Sequence, residues 1–284
     1  MCSAPTDLKA LIWDVDGTIA ETERDGHRLA FNAAFEALGM PWRWSERRYG
    51  ELLRVTGGVE RLLHDMDVQP AAPTALQERE QLALRLHREK NARYVQIVAT
   101  GGIALRGGVR ELLDECTATG LPMAIATTTS RSNVDALLAA QLGARWEARF
   151  ACVVCAEDAP RKKPDPLAYR MALQRLGLAA GGALAIEDSP AGVEACRAAG
   201  VSVVVTRSAY FADAPVSGAL ATGPGLHSAE GWQSPANRAA SGVAGRIDLA
   251  QLRRWFAARF NAPPPATDWV RTVARHRPRR RRPA

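Results

Sequence analysis

Cysteine is scarce in this sequence, with five residues in 284 (Cys2, Cys116, Cys152, Cys155 and Cys196). So few scattered cysteines do not make a disulfide framework. Cys152 and Cys155 match the C-x-x-C spacing of redox and zinc sites, but no second Cys/His pair follows at zinc spacing. The apolar run around them is typical of a buried strand, so we interpret both as core cysteines.

Long apolar runs are absent as well. No stretch is long enough to span a membrane, and the amino terminus lacks the charged-then-apolar pattern of a signal peptide. We therefore expect a soluble, cytoplasmic protein with no membrane partner. With 47% hydrophobic residues, the chain can bury a substantial core in one large domain or two.

Acidic residues are missing from the last fourteen positions, which hold seven arginines. The formal net charge of +7 is therefore confined to this tail, and residues 1–270 carry 30 charges of each sign. A neutral body argues against a nucleic-acid partner, although the tail leaves a contact of that kind open. We predict that residues 263–284 form a basic, disordered extension. The sequence makes no prediction about the oligomeric state.

Two carboxylates follow the first predicted strand. The apolar run Ala10–Trp13 is typical of a buried strand, and Asp14 and Asp16 come directly after it, with Gly17 as a turn residue. Side chains at i and i+2 of an extended chain point the same way, so both acids face one spot. Like charges buried together need a cation such as Mg²⁺. A solvated Asp-Gly turn explains the same spacing equally well.

The pattern along the chain predicts an α/β fold. Residues 25–95 are predicted to be all helical, and from Ile103 onward helices alternate with short apolar strands. This alternation favours a mostly parallel sheet covered by helices on both faces, with ligands at the carboxyl ends of its strands. Four polar residues lie at or soon after predicted strand ends, namely Asp14, Thr127, Lys163 and Asp188.

Four segments resemble, in order, the motifs of the haloacid dehalogenase-like phosphohydrolases: 14–19 (DVDGTI), 124–128 (AIATT), 163–166 (KPDP) and 186–189 (IEDS). The resemblance implies a Rossmann-like parallel sheet core with an inserted α-helical cap of the C1 type. We expect the core at 1–24 and 96–215 and the cap at 25–95. A loop at 216–246, a helix at 247–262 and the tail complete the predicted organisation.

The same resemblance implies the catalytic roles. Asp14 matches the nucleophile that forms an aspartyl-phosphate, and Asp16 matches the general acid and base. Thr127 matches the phosphate-binding hydroxyl, and Lys163, rather than its neighbour Lys162, matches the charge-neutralising lysine because Pro164 follows it. The implied Mg²⁺ ligands are Asp14, the Asp16 carbonyl oxygen, Asp188 and, directly or through water, Glu187.

Residues 7–260 resemble most closely the CbbY branch of these hydrolases, which is similar to β-phosphoglucomutase. CbbY proteins remove the 1-phosphate of xylulose-1,5-bisphosphate, an inhibitory by-product of Rubisco, so the resemblance implies a sugar-phosphate substrate and a role in carbon fixation. The resemblance also implies a set of substrate-binding residues, to which we add the hydroxyl residues that follow Thr127. Together these are Glu23, His27, Thr56, Gly57, Gly58, Arg61, Thr128, Thr129 and Ser130. Position 59 departs from the pattern, because a lysine expected near the distal phosphate is Val59.

Three other functions remain open at this stage. A β-phosphoglucomutase-like phosphotransferase would use the same Asp14 and Asp16, and a phosphoglycolate-type phosphatase would act on a smaller substrate. The third alternative is a protein that binds nucleic acid or phosphate without catalysis. The complete set of catalytic motifs argues against that alternative.

Overall fold

The computed structural model describes residues 7–234 and 245–259. Within these ranges the strands form one parallel sheet of six, in the order β3-β2-β1-β4-β5-β6. The strands are β1 (Ala10–Trp13), β2 (Met123–Ala126), β3 (Cys152–Val154), β4 (Ala183–Glu187), β5 (Ser202–Thr206) and β6 (Ala221–Gly223). The α/β fold class predicted from the sequence is therefore confirmed.

Helices cover both faces of this sheet because successive strand residues point to opposite sides. In β1, Leu11 and Trp13 belong to one buried hydrophobic cluster, and Ile12 belongs to a second cluster. A strand buried on both faces must be apolar throughout, which explains the uninterrupted apolar run. The α-helices beyond residue 100 are α5 (Val109–Ala118), which precedes β2, and α6 (Arg131–Leu142), α7 (Leu167–Leu176), α8 (Pro190–Ala198) and α9 (Leu249–Ala258), which follow it.

Residues 23–99, here called the helical insert, lie between β1 and β2. The insert contains α1 (Arg28–Ala37), α2 (Glu46–Leu52), α3 (Gly58–Asp65) and α4 (Leu76–Ala99). It has its own hydrophobic cluster, in which Phe31, Phe35 and Trp44 pack against one another with ring centroids 4.7–6.3 Å apart. Since this cluster is separate from the two that flank the sheet, the insert is a packing unit of its own.

One helix begins differently from the prediction. The sequence predicts a helix from Thr22, but the first turn, Glu23–His27, is a π-helix that leads into α1. Gly26 lies in this turn, and a Cβ there would come within 2.6 Å of Ile103 and 2.7 Å of Tyr94. The wider turn inserts one extra residue, a feature that often occurs at functional sites.

The prediction of a loop over 216–246 missed strand β6, which pairs with β5 at the edge of the sheet. Beyond this strand, Trp232 is buried and stacks on Trp255 of α9 with ring centroids 4.9 Å apart. Residues 235–244 and the predicted tail at 263–284 lie outside the described residues. The carboxyl-terminal part of the described chain is therefore packed against the core.

The cysteines of the C-x-x-C segment pack in the core, as predicted. Cys155 is buried, which raises the pKa of its thiol to about 12, and Cys152 donates a weak hydrogen bond to the Ala172 carbonyl. In the part of the chain that the structure describes, no helix is long and apolar enough to cross a membrane.

Candidate active site

The polar residues predicted at the strand ends meet at one edge of the sheet. Lys163 Nζ donates hydrogen bonds to Asp14 Oδ1 and to Glu187 Oε1, each at 2.6 Å. All three side chains are at least nine-tenths buried. Asp14 and Lys163 are 149 positions apart in the sequence. They meet because the carboxyl ends of β1, β3 and β4 all lie at the same edge of the parallel sheet.

Asp14, Glu187 and Asp188 form a compact acidic cluster, with one oxygen from each carboxylate within 4.8 Å of the others. Burial raises the pKa of Asp14 to about 8, with Glu187 and Asp16 adding to the effect and Lys163 opposing it. Burial and the neighbouring carboxylates of Asp14 and Glu187 raise the pKa of Asp188. One ammonium therefore does not balance three carboxylates. A divalent cation with a preference for oxygen ligands fits this donor set.

Gly17 brings the turn after β1 against this cluster. Its φ of +82° is one that glycine adopts readily, and a Cβ at this position would lie 2.0 Å from Asp188 Oδ2. Asp188 is also fixed by Ser208, whose Oγ donates a hydrogen bond of 2.6 Å to the same oxygen. The turn and the Asp188 carboxylate are therefore in direct contact.

Asp16 is held apart from the acidic cluster by partners of its own. Thr22 Oγ1 donates to Asp16 Oδ1 at 2.5 Å, and His27 Nε2 lies 3.0 Å from the same oxygen. Burial would raise the pKa of Asp16, but His27, Thr129 and Thr22 more than offset it and hold the pKa below its usual range. His27 reaches this position from the π-helical turn, and its ring stacks on Tyr94 with centroids 4.3 Å apart.

The segment after β2 brings hydroxyl groups to the same edge. Thr127 is buried, and its Oγ1 accepts a hydrogen bond from the Thr129 backbone N–H at 3.2 Å. Ser130 precedes α6 but does not cap it through its side chain, and its Oγ accepts from Asn91 of the insert at 3.2 Å. Hydroxyls and backbone N–H groups at the start of a helix favour an anion.

The helical insert covers this edge and encloses a recess of 340 Å³, here called the main recess. Its walls combine Asp14, Asp16 and Lys163 of the core with Thr56 and Arg61 of the insert. Thr56 Oγ1 donates a hydrogen bond to the backbone carbonyl of Lys163, so the insert is bonded directly to the loop that carries the lysine. Three of the four predicted catalytic residues thus face Thr56 and Arg61 across this recess, whereas the fourth, Thr127, is absent from its lining.

A narrower recess of 30 Å³, here called the cationic recess, adjoins the main one and shares Asp16, Glu23, Arg61 and Thr128 with it. The rest of its lining includes five other predicted substrate-binding residues, namely His27, Gly57, Gly58, Thr129 and Ser130. Asn133, which was not predicted, lines it as well. A Cβ on Gly58 would come within 2.6 Å of the His87 ring, so glycine is required for this close packing.

Several comparisons with known proteins bear on this arrangement. The model of the haloacid dehalogenase-like hydrolase family matches residues 8–200. CbbY encoded on a plasmid of Cupriavidus necator is 44% identical over 250 residues, which cover 87% of this chain and 96% of that protein. CbbY of Rhodobacter capsulatus is 47% identical over 72% of this chain and 87% of its own length.

The chain is a haloacid dehalogenase-like hydrolase of the CbbY family. Its fold is similar to that of CbbY from Rhodobacter sphaeroides, with a TM-score of 0.70 and 39% identity over 75% of this chain and 92% of that one. Crystal structures of that protein contain phosphate in one case and, for a variant, xylulose-(1,5)bisphosphate in another. β-Phosphoglucomutases and phosphoglycolate phosphatases share the fold at 24% identity or less.

One buried lysine of this CbbY family member is missing from the sequence-based prediction. Lys90 of α4 is 4% exposed and lines the cationic recess. Its Nζ lies 5.2 Å from the ring centroid of Phe31 and 5.4 Å from that of Tyr94, and its single hydrogen bond within the described residues is a long one of 3.4 Å to Asn91. Burial lowers the pKa of Lys90 to about 8, and Arg61 adds to the effect.

Val59, in contrast, is directed away from both recesses. Its side chain packs against the hydrophobic cluster of the insert, and it is absent from the lining of either recess. The departure from the family pattern at position 59 therefore removes no charge from the space that this chain encloses, and Lys90 places one there from a different helix.

Arg61, predicted to bind the substrate, also makes contacts with other side chains of the insert. Its side chain is buried, donates to Tyr49 Oη at 2.9 Å and lies 3.9 Å from Glu23 Oε2. Tyr49 Oη in turn donates to Glu23 at 2.5 Å. These contacts fix both predicted substrate-binding side chains, Glu23 and Arg61, at the junction of the two recesses.

Proposed function

We propose that this protein is a Mg²⁺-dependent sugar-phosphate phosphatase that acts through an aspartyl-phosphate and removes the 1-phosphate of xylulose-1,5-bisphosphate. In the cell it would act in the cytoplasm, where removal of this inhibitor protects Rubisco. The observation that carries the proposal is the buried contact of Lys163 with Asp14 and Glu187, next to Asp188. This arrangement combines a nucleophilic carboxylate, a fixed ammonium and a set of oxygen ligands in one place.

Phosphate monoesters resist attack because their oxygens are negative, so charge must be neutralised and the attacking group must be positioned. Lys163 holds the Asp14 carboxylate in place and offsets charge on the phosphoryl group. Asp14, Asp188, the Asp16 carbonyl oxygen and Glu187 are the proposed ligands of the ion. When bound, the ion supplies the positive charge that lets a carboxylate approach a phosphate.

Asp16 is the proposed general acid and base. It would donate a proton to the departing sugar oxygen and then take one from the water that hydrolyses the phosphate on Asp14. The contacts of Asp16 with Thr22 and His27 favour its ionised, proton-accepting form. Thr127 and the Thr128–Ser130 segment would hold the oxygens of the transferred phosphate.

The cationic recess supports a substrate with a second phosphate. Arg61 and Lys90 both line it, next to the Gly57–Gly58 backbone. At 30 Å³ the recess has room for about two water-sized groups, so it would contact part of a phosphate rather than enclose a whole one. The complex of the Rhodobacter sphaeroides relative with xylulose-(1,5)bisphosphate supports the same substrate.

Phosphate release with Mg²⁺ from four substrates tests the proposal: xylulose-1,5-bisphosphate, ribulose-1,5-bisphosphate, phosphoglycolate and β-glucose-1-phosphate. We expect a strong preference for xylulose-1,5-bisphosphate and a loss of at least about 1,000-fold in the Asp14→Asn variant, which lacks the nucleophile. A preference for phosphoglycolate would keep the phosphatase and reject the substrate. Transfer to a sugar without phosphate release would instead support a mutase.

A further inference from the structure

Arg106 lies just before α5 and outside both recesses, yet its side chain bonds to three separate segments next to the site. Its side chain is 11% exposed. Nη1 donates to the carbonyl of Gly17 and, at 3.0 Å, to both the carbonyl and the hydroxyl oxygen of Thr206. Nη2 donates to the carbonyls of Arg207 at 2.5 Å and Pro224 at 3.0 Å.

These acceptors belong to three separate parts of the chain. Gly17 belongs to the turn after β1, Thr206 is the last residue of β5, and Pro224 follows β6. The Arg106 backbone N–H also donates to Ile19 at 2.8 Å, so backbone and side chain both bind the turn after β1. One guanidinium thereby fixes this turn relative to the ends of two strands.

The contact has a direct consequence for the acidic cluster. The turn after β1 touches the Asp188 carboxylate at Gly17, and Ser208, two residues beyond Thr206, donates to the same carboxylate oxygen. Arg106 thus bonds to both segments that contact Asp188. A shift of either segment would change the separation between Asp188 and the Asp14–Asp16 strand end.

We propose that Arg106 is a positioning residue that sets the geometry of the carboxylate cluster by bonding the turn after β1 to the ends of β5 and β6. The inference rests on the proposed function, because it concerns the metal site that the function requires. Lysine cannot replace this arginine fully, since one ammonium lacks the forked geometry needed to reach carbonyls on three segments. The carbonyls that a lysine ammonium does not reach would lose their charge-assisted hydrogen bonds.

Binding of Mn²⁺, counted as free ion by electron paramagnetic resonance, tests the proposal without turnover. Arg106→Gln should raise the Kd for Mn²⁺ about 10- to 100-fold, the range for loss of groups that orient metal ligands. Arg106→Lys should recover part of the affinity. At saturating Mg²⁺, kcat for phosphate release should fall in Arg106→Gln while KM for the sugar phosphate stays within about threefold, because Arg106 touches neither recess.

Arg110→Gln is the matched control, since Arg110 lies on α5 and donates to the Gln141 carbonyl, away from the site. It should leave Mn²⁺ affinity unchanged. A folded Arg106→Gln or Arg106→Lys variant with wild-type Mn²⁺ affinity would overturn the positioning role. Wild-type protein that binds no Mn²⁺ would instead refute the proposed metal dependence. This outcome is distinguishable because it is measured on the wild-type protein, before any residue is substituted.

Discussion

The core side of the main recess and the insert side of the cationic recess carry opposite charge. On the core side, three buried carboxylates lie next to one ammonium, and burial raises the pKa values of Asp14 and Asp188. On the insert side, Arg61 and Lys90 are buried next to the carboxylate of Glu23. The core side therefore attracts a cation and the insert side an anion. In the proposed function, the core side therefore carries the chemistry and the insert side the choice of substrate.

The largest expected effect comes from removing the ammonium group of Lys163 on the core side. Lys163→Met should lower phosphate release at least about 100-fold, because Asp14 loses its partner and the phosphoryl group loses a fixed positive charge. It should also lower the free energy of unfolding by about 3–5 kcal/mol, since Asp14 and Glu187 are left buried and unpaired. Steady-state kinetics and urea denaturation measure the two effects.

Lys162→Met is the control for that substitution, because Lys162 Nζ donates to the carbonyls of Ala156 and Ala159 and to no carboxylate within the described residues. Its activity should stay within a few-fold of wild type. Equal losses in both variants would show that the choice of Lys163 over Lys162 is wrong and that the loop, rather than one ammonium, matters.

A smaller and more selective effect is expected on the insert side. Lys90→Met should lower kcat/KM for xylulose-1,5-bisphosphate about 10- to 100-fold, because a charge-assisted contact with the distal phosphate is lost. Turnover of xylulose-1-phosphate, which has no distal phosphate, should change little. The measurement is kcat/KM for both substrates. The control is Lys9→Met, because Lys9 is an exposed lysine. Equal losses on both substrates would place Lys90 at the sugar or the reacting phosphate instead.

The smallest effect is expected at position 59. Val59→Lys restores the family residue, but the side chain packs against the hydrophobic cluster of the insert, so kcat/KM for the bisphosphate should stay within about threefold of wild type. Thermal denaturation should show a modest loss of stability, because a charge next to apolar side chains is unfavourable. A clear gain in kcat/KM would show that position 59 reaches the substrate after all.

The sequence predicted the core side better than the insert side. The apolar run before Asp14 and the alternation of strands and helices place Asp14, Thr127, Lys163 and Asp188 at one edge, since parallel strands share their carboxyl ends. The short-range pattern cannot show which distant groups complete the site. The contacts of Tyr169 with Glu187 and of Ser208 with Asp188 join residues 18 and 20 positions apart.

Lys90 was missed for a related reason. It lies in a strongly charged helical stretch, where a single lysine is normally solvated, and only the packing of α4 shows that its amine is buried between two aromatic rings. The π-helical turn before α1 was missed because a periodic pattern does not reveal one additional residue. Strand β6 was missed because its three residues, Ala221, Thr222 and Gly223, carry little hydrophobic signal.

The hydrogen bonds of Arg106 also indicate how much of the chain is needed for an intact site. The family model matches residues 8–200, but Thr206, Ser208 and Pro224, which fix the turn after β1 and Asp188, all lie beyond that boundary. Strand β6 is in turn covered by Trp232, which stacks on Trp255 of α9. A truncated enzyme cut at the family boundary would lose these supports, so the shortest active fragment should extend through α9.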